Sequence, residues 1–537
     1  MIEGATVFEA FKATAARHPD RPLLCVTPST AGVYGTEAGE ITYGEAMARA
    51  TSLALAYGAA GYGAGMRVGL LMENRPEFFL HFLAINSLGA SALPINPDLR
   101  AAELEYLIGH AEPALIIALT DRHEMLRTAA KAANVKLTVM GDGDAIPAPR
   151  ADAVVAEPKE GEAREAAVLY TSGTTGQPKG CVLPNSYYLQ CGRWYSTTGG
   201  LCEITEEAEE RMITPLPVFH MNAMACSFMA MIAVGGCLIA LDRFHPSTWW
   251  KDVAESRATC LHYLGVMPTM LMGAAPSPDD RAHSVRFGFG AGIDPKLHAP
   301  FEERFGIPLV EAWAMTETGN GAVIAANAPG ERLVGVSCLG KPSTDVEVHI
   351  LADDGTETDQ GELLVRAAGD DPRYGFFSHY YKNPEATAEA WKGGWFHTGD
   401  IVRRDADGYV YFVDRKKNVI RRSGENIAAV EVESVLMRHP AINAAGVAAV
   451  PDEMRGDEVF ACLVASDPSL ALAEEIASWC QEQMAYYKAP AYIAFVDALP
   501  LTGTQKIQRG ELKALAARLL DDPGTARLGQ FKKRVAV

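Results

Sequence analysis

Apolar residues in the first half of the chain follow two different spacings. Apolar residues recur at the interval of an α-helix in residues 7–18, 77–88 and 101–109. Short apolar runs typical of buried strands occur at residues 67–72 and 115–119. Helices that alternate with buried strands are typical of βαβ units around a parallel sheet. The pattern therefore predicts an α/β fold for this half.

The pattern changes near residue 330, where short strand-like runs alternate with turn sequences such as Asp353-Asp354-Gly355. Beyond residue 417, helix and strand spacings alternate again, at 429–439, 444–450 and 473–484. We therefore predict a large N-terminal domain at residues 1–416, made of α/β subdomains and a β-rich subdomain. A small α+β C-terminal domain follows at residues 417–537.

Residues 221–241 are free of Asp, Glu, Lys and Arg and are long enough to span a bilayer. Asn222, Ser227 and the pair Gly235-Gly236 interrupt the apolar run. A buried helix followed by a strand is therefore favoured over a membrane span.

Composition narrows the class of protein. The chain has 537 residues, more than a single hydrophobic core usually supports. A formal charge of -19 disfavours a general nucleic-acid binder or a partner on an anionic membrane. Ten cysteines without C-x-x-C spacing favour buried thiols in a reducing compartment over disulfides or a zinc site, and the N-terminus does not resemble a signal peptide. A cytoplasmic location is expected.

The segment from Tyr170 to Gly180 reads Tyr-Thr-Ser-Gly-Thr-Thr-Gly-Gln-Pro-Lys-Gly and follows the strand-like run 166–170. Hydroxyls, a lysine and glycines that let backbone N–H groups converge suit a polyphosphate. The segment does not match G-x-x-x-x-G-K-[ST], because Pro178 or Cys181 stands where the second glycine is required. A solvated linker is the alternative, disfavoured because linkers rarely follow a strand or carry Pro-Lys-Gly.

Further segments that combine polar groups with glycines or aromatic residues follow in order along the chain, at 215–220, 287–292, 313–319, 395–400, 413–417, 420–427 and 501–507. With the loop at 170–180, this series resembles the adenylate-forming superfamily of acyl-CoA synthetases, peptide-synthetase adenylation domains and firefly luciferases. The resemblance spans nearly the whole chain and is strongest to bacterial ATP-dependent acyl-CoA ligases.

The resemblance implies a two-step reaction that uses ATP, Mg²⁺ and coenzyme A. A carboxylic acid and ATP give acyl-AMP and pyrophosphate, and CoA then takes the acyl group and releases AMP. It also implies a large N-terminal domain and a small mobile C-terminal one. The expected partners are a small carboxylic acid and CoA, without nucleic acid or a membrane span, and a homodimer is left open.

The resemblance also implies which residues bind the nucleotide. The residues at the phosphates are Thr171, Ser172, Gly173, Thr174, Thr175 and Lys179. Those at the adenine are Gly290, Ala291, Gly292 and Trp313. Those at the ribose are Asp400 and Arg415. Trp313 stands where the family usually has tyrosine, so a flat stacking face is kept and a hydroxyl contact is put in doubt. Ala314 replaces the usual glycine.

Four further residues carry implied catalytic roles. Thr316 matches a phosphate-binding hydroxyl, and Glu317 matches a magnesium ligand, a hard oxygen for a hard cation. His220 matches a gate to the substrate pocket. Lys506 matches the lysine that reaches from the small domain to the α-phosphate, and Lys417 falls on the hinge between the domains.

Each role has a plainer alternative. Glu317 and Lys506 could be solvated surface charges, Asp400 could cap a turn, and His220 could be a satisfied core group. Arg421 or Arg422 could meet a CoA phosphate or be ordinary surface charge.

The acyl group is constrained by residues 212–241, which carry no Asp, Glu, Lys or Arg. Amino-acid-activating relatives have an aspartate near the position of His220, so an α-amino acid is disfavoured. The apolar stripe Met221, Met224, Phe228 and Met231 favours core packing over a pocket wall. A small or medium uncharged acid is expected, and aromatic, branched and short-chain acids stay open.

Three alternative functions remain beside the ligase. They are an adenylating enzyme that loads a separate carrier protein, a catalytically silent nucleotide or acyl-AMP binder, and a luciferase-type oxygenase. The presence of Lys179, Glu317, Asp400 and Lys506 disfavours the silent binder. The absence of a C-terminal Ser-Lys-Leu disfavours the luciferase type.

Overall fold

The computed structural model describes residues 2–150, 152–153, 155, 157, 159–171, 177–330, 332–352, 354–415, 419–500, 507 and 509–532. Within these residues the chain forms four sheets. The first two are mainly parallel, as the alternation of helices with buried strands predicts.

The largest sheet has eight strands, of which the six inner ones are parallel and the two edge strands antiparallel. Its inner strands are buried on both faces, which explains their nearly continuous apolar sequence. In spatial order the strands are Ile324–Ala325, Leu309–Trp313, Phe287–Ala291, Cys260–Leu264, Arg211–Thr214, Cys237–Ala240, Pro22–Val26 and Gly39–Thr42.

The second sheet has seven strands and carries the phosphate-type loop. The strand before the loop ends at Thr171, and the chain returns antiparallel from Lys179, with these two residues paired in register. In spatial order the strands are His379–Tyr380, Lys179–Pro184, Glu165–Thr171, Ser91–Pro94, Arg67–Leu71, Leu115–Ala118 and Val139–Met140. The loop therefore begins at the carboxyl end of a strand, where α/β sheets bind ligands.

The third sheet is the predicted β-rich subdomain, with five antiparallel strands. In spatial order they are Cys338–Gly340, Val410–Arg415, Phe396–Arg404, Gln360–Ala367 and Val346–Leu351.

The fourth sheet lies in the C-terminal part and has six strands with its own apolar cores. They are Glu425–Ala428, Val419–Arg422, Gly456–Ala465, Tyr492–Phe495 and Ala526–Arg527, with Ile442–Asp452 paired to Gly456–Ala465. Separate cores are expected of a separate small domain. The boundary at 416/417 stays a prediction, because residues 416–418 lie outside the described ranges.

One long α-helix has clear sequence signals at both ends. Thr42 and Glu45 form a capping box before Tyr43–Ala60, which ends at Gly61 with a φ of 101°. The α-helices are Val7–Arg17, Pro28–Tyr34, Tyr43–Ala60, Pro76–Ser87, Ala101–Ala111, His123–Ala132, Asn185–Thr197, Phe228–Val234, Trp249–Glu255, Val266–Met272, Pro295–Phe305, Pro384–Ala390, Ala429–Leu436, Leu470–Gln483 and Arg509–Leu519.

Residues 221–241, which carry no Asp, Glu, Lys or Arg, contain one π-helical turn. Asn222–Ser227 is a π-helix, which continues into Phe228–Val234 and then the strand Cys237–Ala240. The prediction of a buried helix followed by a strand is confirmed. No helix among the described residues combines the length and apolar character needed to cross a bilayer.

The cysteines agree with the prediction of buried thiols, and the reducing compartment stays a prediction. All ten cysteines are free, and nine of them are buried.

Candidate active site

A cavity of about 1020 Å³ opens between the carboxyl ends of the strands and the C-terminal domain. Its wall includes predicted site residues from distant parts of the sequence. They are Thr171, Lys179, His220, Gly290, Ala291, Gly292, Thr316 and Glu317.

Lys179 and Glu317 both lie next to Tyr380 at the cavity wall. The Tyr380 hydroxyl donates to Glu317 Oε1 at 2.8 Å, and Lys179 Nζ lies 4.7 Å from the centre of the Tyr380 ring. Burial and the nearby Glu317 raise the pKa of Tyr380, so its hydroxyl stays protonated and donates. The hydrogen bond from Tyr380 therefore positions the Glu317 carboxylate at the cavity wall, and the Tyr380 ring contacts Lys179.

The glycine-rich strand end Gly290-Ala291-Gly292 forms another part of the wall. A Cβ at Gly290 would collide with the carbonyl oxygen of Tyr263 on the neighbouring strand. Glycine is thus required for the two strands to approach, which leaves backbone rather than side chain at the cavity surface.

Trp313 and Asp400 meet in a buried hydrogen bond. The indole Nε1 donates to Asp400 Oδ2 at 2.8 Å, and the two residues are 5% and 1% exposed. A tyrosine at position 313 could not donate from the same place, so this pairing follows from the tryptophan. Both residues lie just behind the wall, where their neighbours Ala312, Ala314 and Gly399 line the cavity. Arg415 pairs with Asp400 through backbone strand register.

A β-hairpin of the C-terminal domain closes one side of the cavity. Its strands are Val419–Arg422 and Glu425–Ala428. At its turn, Gly424 has a φ of 90° and packs so closely on Leu264 that a Cβ there would collide with that side chain. His220 Nε2 lies 3.3 Å from Glu425 Oε2, which joins the predicted gate residue to the hairpin. Arg421 lines the cavity, whereas Arg422 is buried in an ion pair with Glu458.

A second contact joins the two parts of the chain. Lys488 Nζ lies 2.6 Å from Glu103 Oε1 and 2.7 Å from Glu431 Oε1, and the Tyr487 hydroxyl accepts from Asn96 Nδ2 at 2.8 Å. Burial lowers the pKa of Lys488, but the two carboxylates outweigh it and raise the pKa above its usual range. A charged lysine therefore links residues 101–111 to the C-terminal domain in this orientation.

Comparison with known protein families agrees with this geometry. Residues 11–375 match the model of the AMP-binding enzyme family, and residues 431–506 match that of the AMP-binding enzyme C-terminal domain. The chain belongs to the AMP-binding enzymes. The predicted membership of the adenylate-forming superfamily and the predicted fold class are both confirmed.

Among known relatives of this AMP-binding enzyme is the sulfoacetate–CoA ligase of Cupriavidus necator, 31% identical over 93% of this chain and 95% of the relative. The crotonobetaine/carnitine–CoA ligase of Salmonella typhimurium is 30% identical over 84% of this chain and 88% of the relative. A malonyl-CoA ligase solved with methylmalonyl-CoA and AMP superposes with a TM-score of 0.73, at 27% identity, over 90% of this chain and 97% of that chain. The o-succinylbenzoate CoA synthetase of Bacillus subtilis shares the fold, with a TM-score of 0.79 at 24% identity over 95% and 99% of the two chains.

Several predicted site residues of the AMP-binding enzyme lie outside the described ranges. They are Ser172, Gly173, Thr174, Thr175, Lys417 and Lys506. For these, and for the ribose contact of Arg415, the roles stay predictions.

The cavity also contains residues that sequence reasoning did not single out as site residues. Asn222, Cys226 and Asn320 line it together with Met221, whereas Met224, Phe228 and Met231 of the apolar stripe are fully buried in the core. Two polar residues could have indicated this part of the site from the sequence. Asn222 interrupts the apolar segment, and Asn320 directly follows the motif at 313–319.

Proposed function

We propose that this AMP-binding enzyme is an ATP-dependent carboxylic acid–CoA ligase that works through an acyl-adenylate. One observation carries the proposal. The lining of one cavity combines Lys179, Thr316 and Glu317 with residues from 216–226, none of which is Asp, Glu, Lys or Arg. The first group of residues suits a polyphosphate, and the second suits an uncharged acyl group. The curated relatives, named as CoA ligases, support the same reaction.

In the first step, Thr171, Lys179 and Thr316 would hold the triphosphate, with Gly290 to Gly292 along the adenine. Asp400 would accept from the ribose hydroxyls, and Trp313 would orient its carboxylate through the buried hydrogen bond. Lys506 would neutralise charge where the substrate carboxylate attacks the α-phosphate and pyrophosphate leaves.

Glu317 fits a magnesium site. Mg²⁺ is commonly bound by one or two carboxylates together with substrate phosphates, and Glu317 presents one fixed carboxylate at the phosphate side. When bound there, the ion would neutralise phosphate charge.

In the second step, the CoA sulfur would attack the acyl carbon and AMP would leave. The hairpin that carries Arg421, Gly424 and Glu425 stands at the cavity in this structure, which supports its use in this step. His220, held by Glu425, would then act as the gate between the acyl pocket and the incoming thiol. Arg421, which lines the cavity, would meet a CoA phosphate, whereas Arg422 is buried in its ion pair with Glu458.

The test is pyrophosphate release with a panel of acids, with and without CoA, followed by detection of acyl-CoA. The ligase predicts pyrophosphate and acyl-CoA with at least one acid. Adenylate formation that never gives acyl-CoA would instead indicate a carrier-protein partner. No release and no acyl-AMP with any acid would indicate a silent binder. ATP and CoA are both cytoplasmic metabolites, which supports action in the cytoplasm, and a homodimer stays an open prediction.

Replacing Glu317 with glutamine is expected to lower the adenylation rate about 10- to 100-fold and to raise the Mg²⁺ concentration needed for half-maximal rate. Glutamine keeps an acceptor for Tyr380 but removes the charge. The measurement is a Mg²⁺ titration of pyrophosphate release. Tyr380→Phe is the matched control, because it removes the supporting hydroxyl and keeps the ring beside Lys179. Equal losses in both variants, or an unchanged Mg²⁺ response, would contradict the assignment.

Replacing Glu103 with glutamine is expected to slow the thioester step about 3- to 10-fold, since one charged hydrogen bond that holds this domain orientation is weakened. The C-terminal domain itself keeps the ion pair of Lys488 with Glu431. Single-turnover measurements of each half-reaction check the result. Glu105→Gln removes the same charge two residues away on the same helix and should leave both steps near normal. A larger loss in adenylation than in the thioester step would refute the role of this contact.

A further inference from the structure

The acyl end of the cavity is uncharged but not wholly apolar. Its wall comes from residues 216–226, 263–266 and 320–323 together with Phe289, and none of the lining residues from these segments is Asp, Glu, Lys or Arg. Two carboxamides, Asn222 and Asn320, stand among apolar side chains such as Leu216, Met221 and Phe289. What a ligand must offer here depends on which end of each carboxamide faces the cavity.

Asn222 is oriented from behind by a buried histidine. His262 Nδ1 lies 2.6 Å from Asn222 Oδ1 and 2.8 Å from Ser227 Oγ. Because the amide oxygen can only accept, Nδ1 carries the ring proton, and the shorter contact is to Asn222. The other ring nitrogen, Nε2, accepts from the Tyr195 hydroxyl at 2.6 Å. Burial lowers the pKa of His262 to about 3, so the ring is neutral and this arrangement holds across the physiological pH range. With Oδ1 engaged, the Nδ2 amide of Asn222 is the end left for the cavity.

The π-helix sets this geometry. In the turn Asn222–Ser227, the Ser227 hydroxyl donates to the Asn222 carbonyl oxygen at 3.1 Å. The wider turn brings both Asn222 and Cys226 to the cavity wall. Single π turns within helices are frequent at functional sites.

Asn320 is oriented by two thiols. Its Oδ1 accepts from Cys226 Sγ at 3.1 Å and from Cys191 Sγ at 3.5 Å. Hydrogen bonding to Cys191 and burial raise the pKa of Cys226, which keeps that thiol protonated as a donor. Asn320 is 4% exposed, and its Nδ2 meets no hydrogen-bond partner among the residues the structure describes.

A buried N–H without an acceptor is costly, and native proteins rarely keep one without a ligand or water to satisfy it. We infer that Asn222 and Asn320 form a donor site for a neutral hydrogen-bond acceptor on the acyl group. The substrate is then a carboxylic acid whose tail is uncharged and carries a carbonyl, ether or hydroxyl oxygen away from the carboxylate. This inference rests on the proposed ligase function. An anionic or cationic tail is disfavoured, because burying a charge at a wall without a counter-charge costs far more than two amide hydrogen bonds return.

The first test compares acids matched in length. Straight-chain acids from pentanoate to octanoate are each paired with analogues in which one methylene is replaced by a carbonyl at successive positions. At least one oxo acid is expected to exceed its saturated parent roughly 5- to 100-fold in kcat/KM for pyrophosphate release. If saturated or charged acids are preferred at every length, the inference is wrong while the ligase function stands.

The second test does not require turnover. Sulfamoyl-adenosine mimics of the adenylate, one oxo-acyl and one alkyl of the same length, are titrated by calorimetry. Tighter binding of the oxo-acyl mimic is expected in the wild type. Failure of both mimics to bind would overturn the proposed function itself, and equal binding would overturn only the donor site.

Variants then localise the effect. Asn320→Leu and Asn222→Leu should each lower the oxo-to-alkyl ratio about 5- to 10-fold. A variant that merely perturbs the fold would weaken both mimics together, and that outcome in both variants would refute the assignment. Ser466→Ala, on the surface of the C-terminal domain, serves as a control that should leave the ratio unchanged.

Discussion

Replacing Lys506 with alanine is expected to slow acyl-AMP formation by about 10²- to 10³-fold, because one preorganised cation is lost from the transition state at the α-phosphate. Conversion of supplied acyl-AMP to acyl-CoA should stay nearly unchanged. Among the described C-terminal residues, Arg421, Gly424 and 455–457 line the cavity in this orientation, and the second step can draw on these groups. Rapid-quench assays of each half-reaction measure the difference.

Two companion variants make the result specific. Lys506→Arg keeps the charge in a different shape and should recover part of the adenylation rate. Lys513→Ala removes a lysine from the helix Arg509–Leu519 of the same domain and should affect neither step. If Lys506→Ala slowed both half-reactions equally, the lysine would not be dedicated to adenylation.

Replacing Asp400 is expected to give the second large effect. Asp400→Asn should lower kcat/KM for ATP about 100-fold, since charged hydrogen bonds to two ribose hydroxyls are each stronger than neutral ones. Asn can still present a carbonyl oxygen to Trp313 Nε1, so the midpoint of thermal unfolding should change little. ATP-dependent pyrophosphate release and thermal unfolding check the two statements.

Asp400→Leu separates the structural role from the nucleotide role. Leucine leaves the buried indole N–H without its 2.8 Å acceptor, which should destabilise the fold by about 1–3 kcal/mol beyond the loss of ATP binding. Trp313→Phe removes that donor and, in combination with Asp400→Leu, should recover part of the lost stability. An Asn variant with normal ATP kinetics would exclude Asp400 from the ribose site.

The local elements were predictable because their signals are local. The helix predicted at 101–109 is Ala101–Ala111, and the strand predicted at 67–72 is Arg67–Leu71. Apolar spacing and capping residues decide such elements within a few residues. The π turn at Asn222–Ser227 was not predictable, because its apolar spacing does not distinguish one wide turn from an α-helix.

The site was predictable as a set of residues but not as a set of contacts. The resemblance implied that Trp313 lies against the adenine and Asp400 against the ribose. It did not imply the hydrogen bond between their side chains, which depends on how two strands 87 residues apart in the sequence pack together. The meeting of His220 with Glu425 likewise depends on the orientation of the C-terminal domain. Such pairings depend on tertiary packing between residues that are distant in the sequence, and no local sequence pattern predicts them.

The wide turn at Asn222–Ser227 also bears on how ligases of this kind diverge. Deletion of one residue from this segment would convert the π-helix into an ordinary α-helix. The side chains before the deleted residue would then rotate by about 100° about the helix axis relative to those after it. The sheet behind it would keep its strands and its nucleotide residues. A single deletion could thus exchange one preferred acid for another, without the gradual accumulation of point mutations along the pocket.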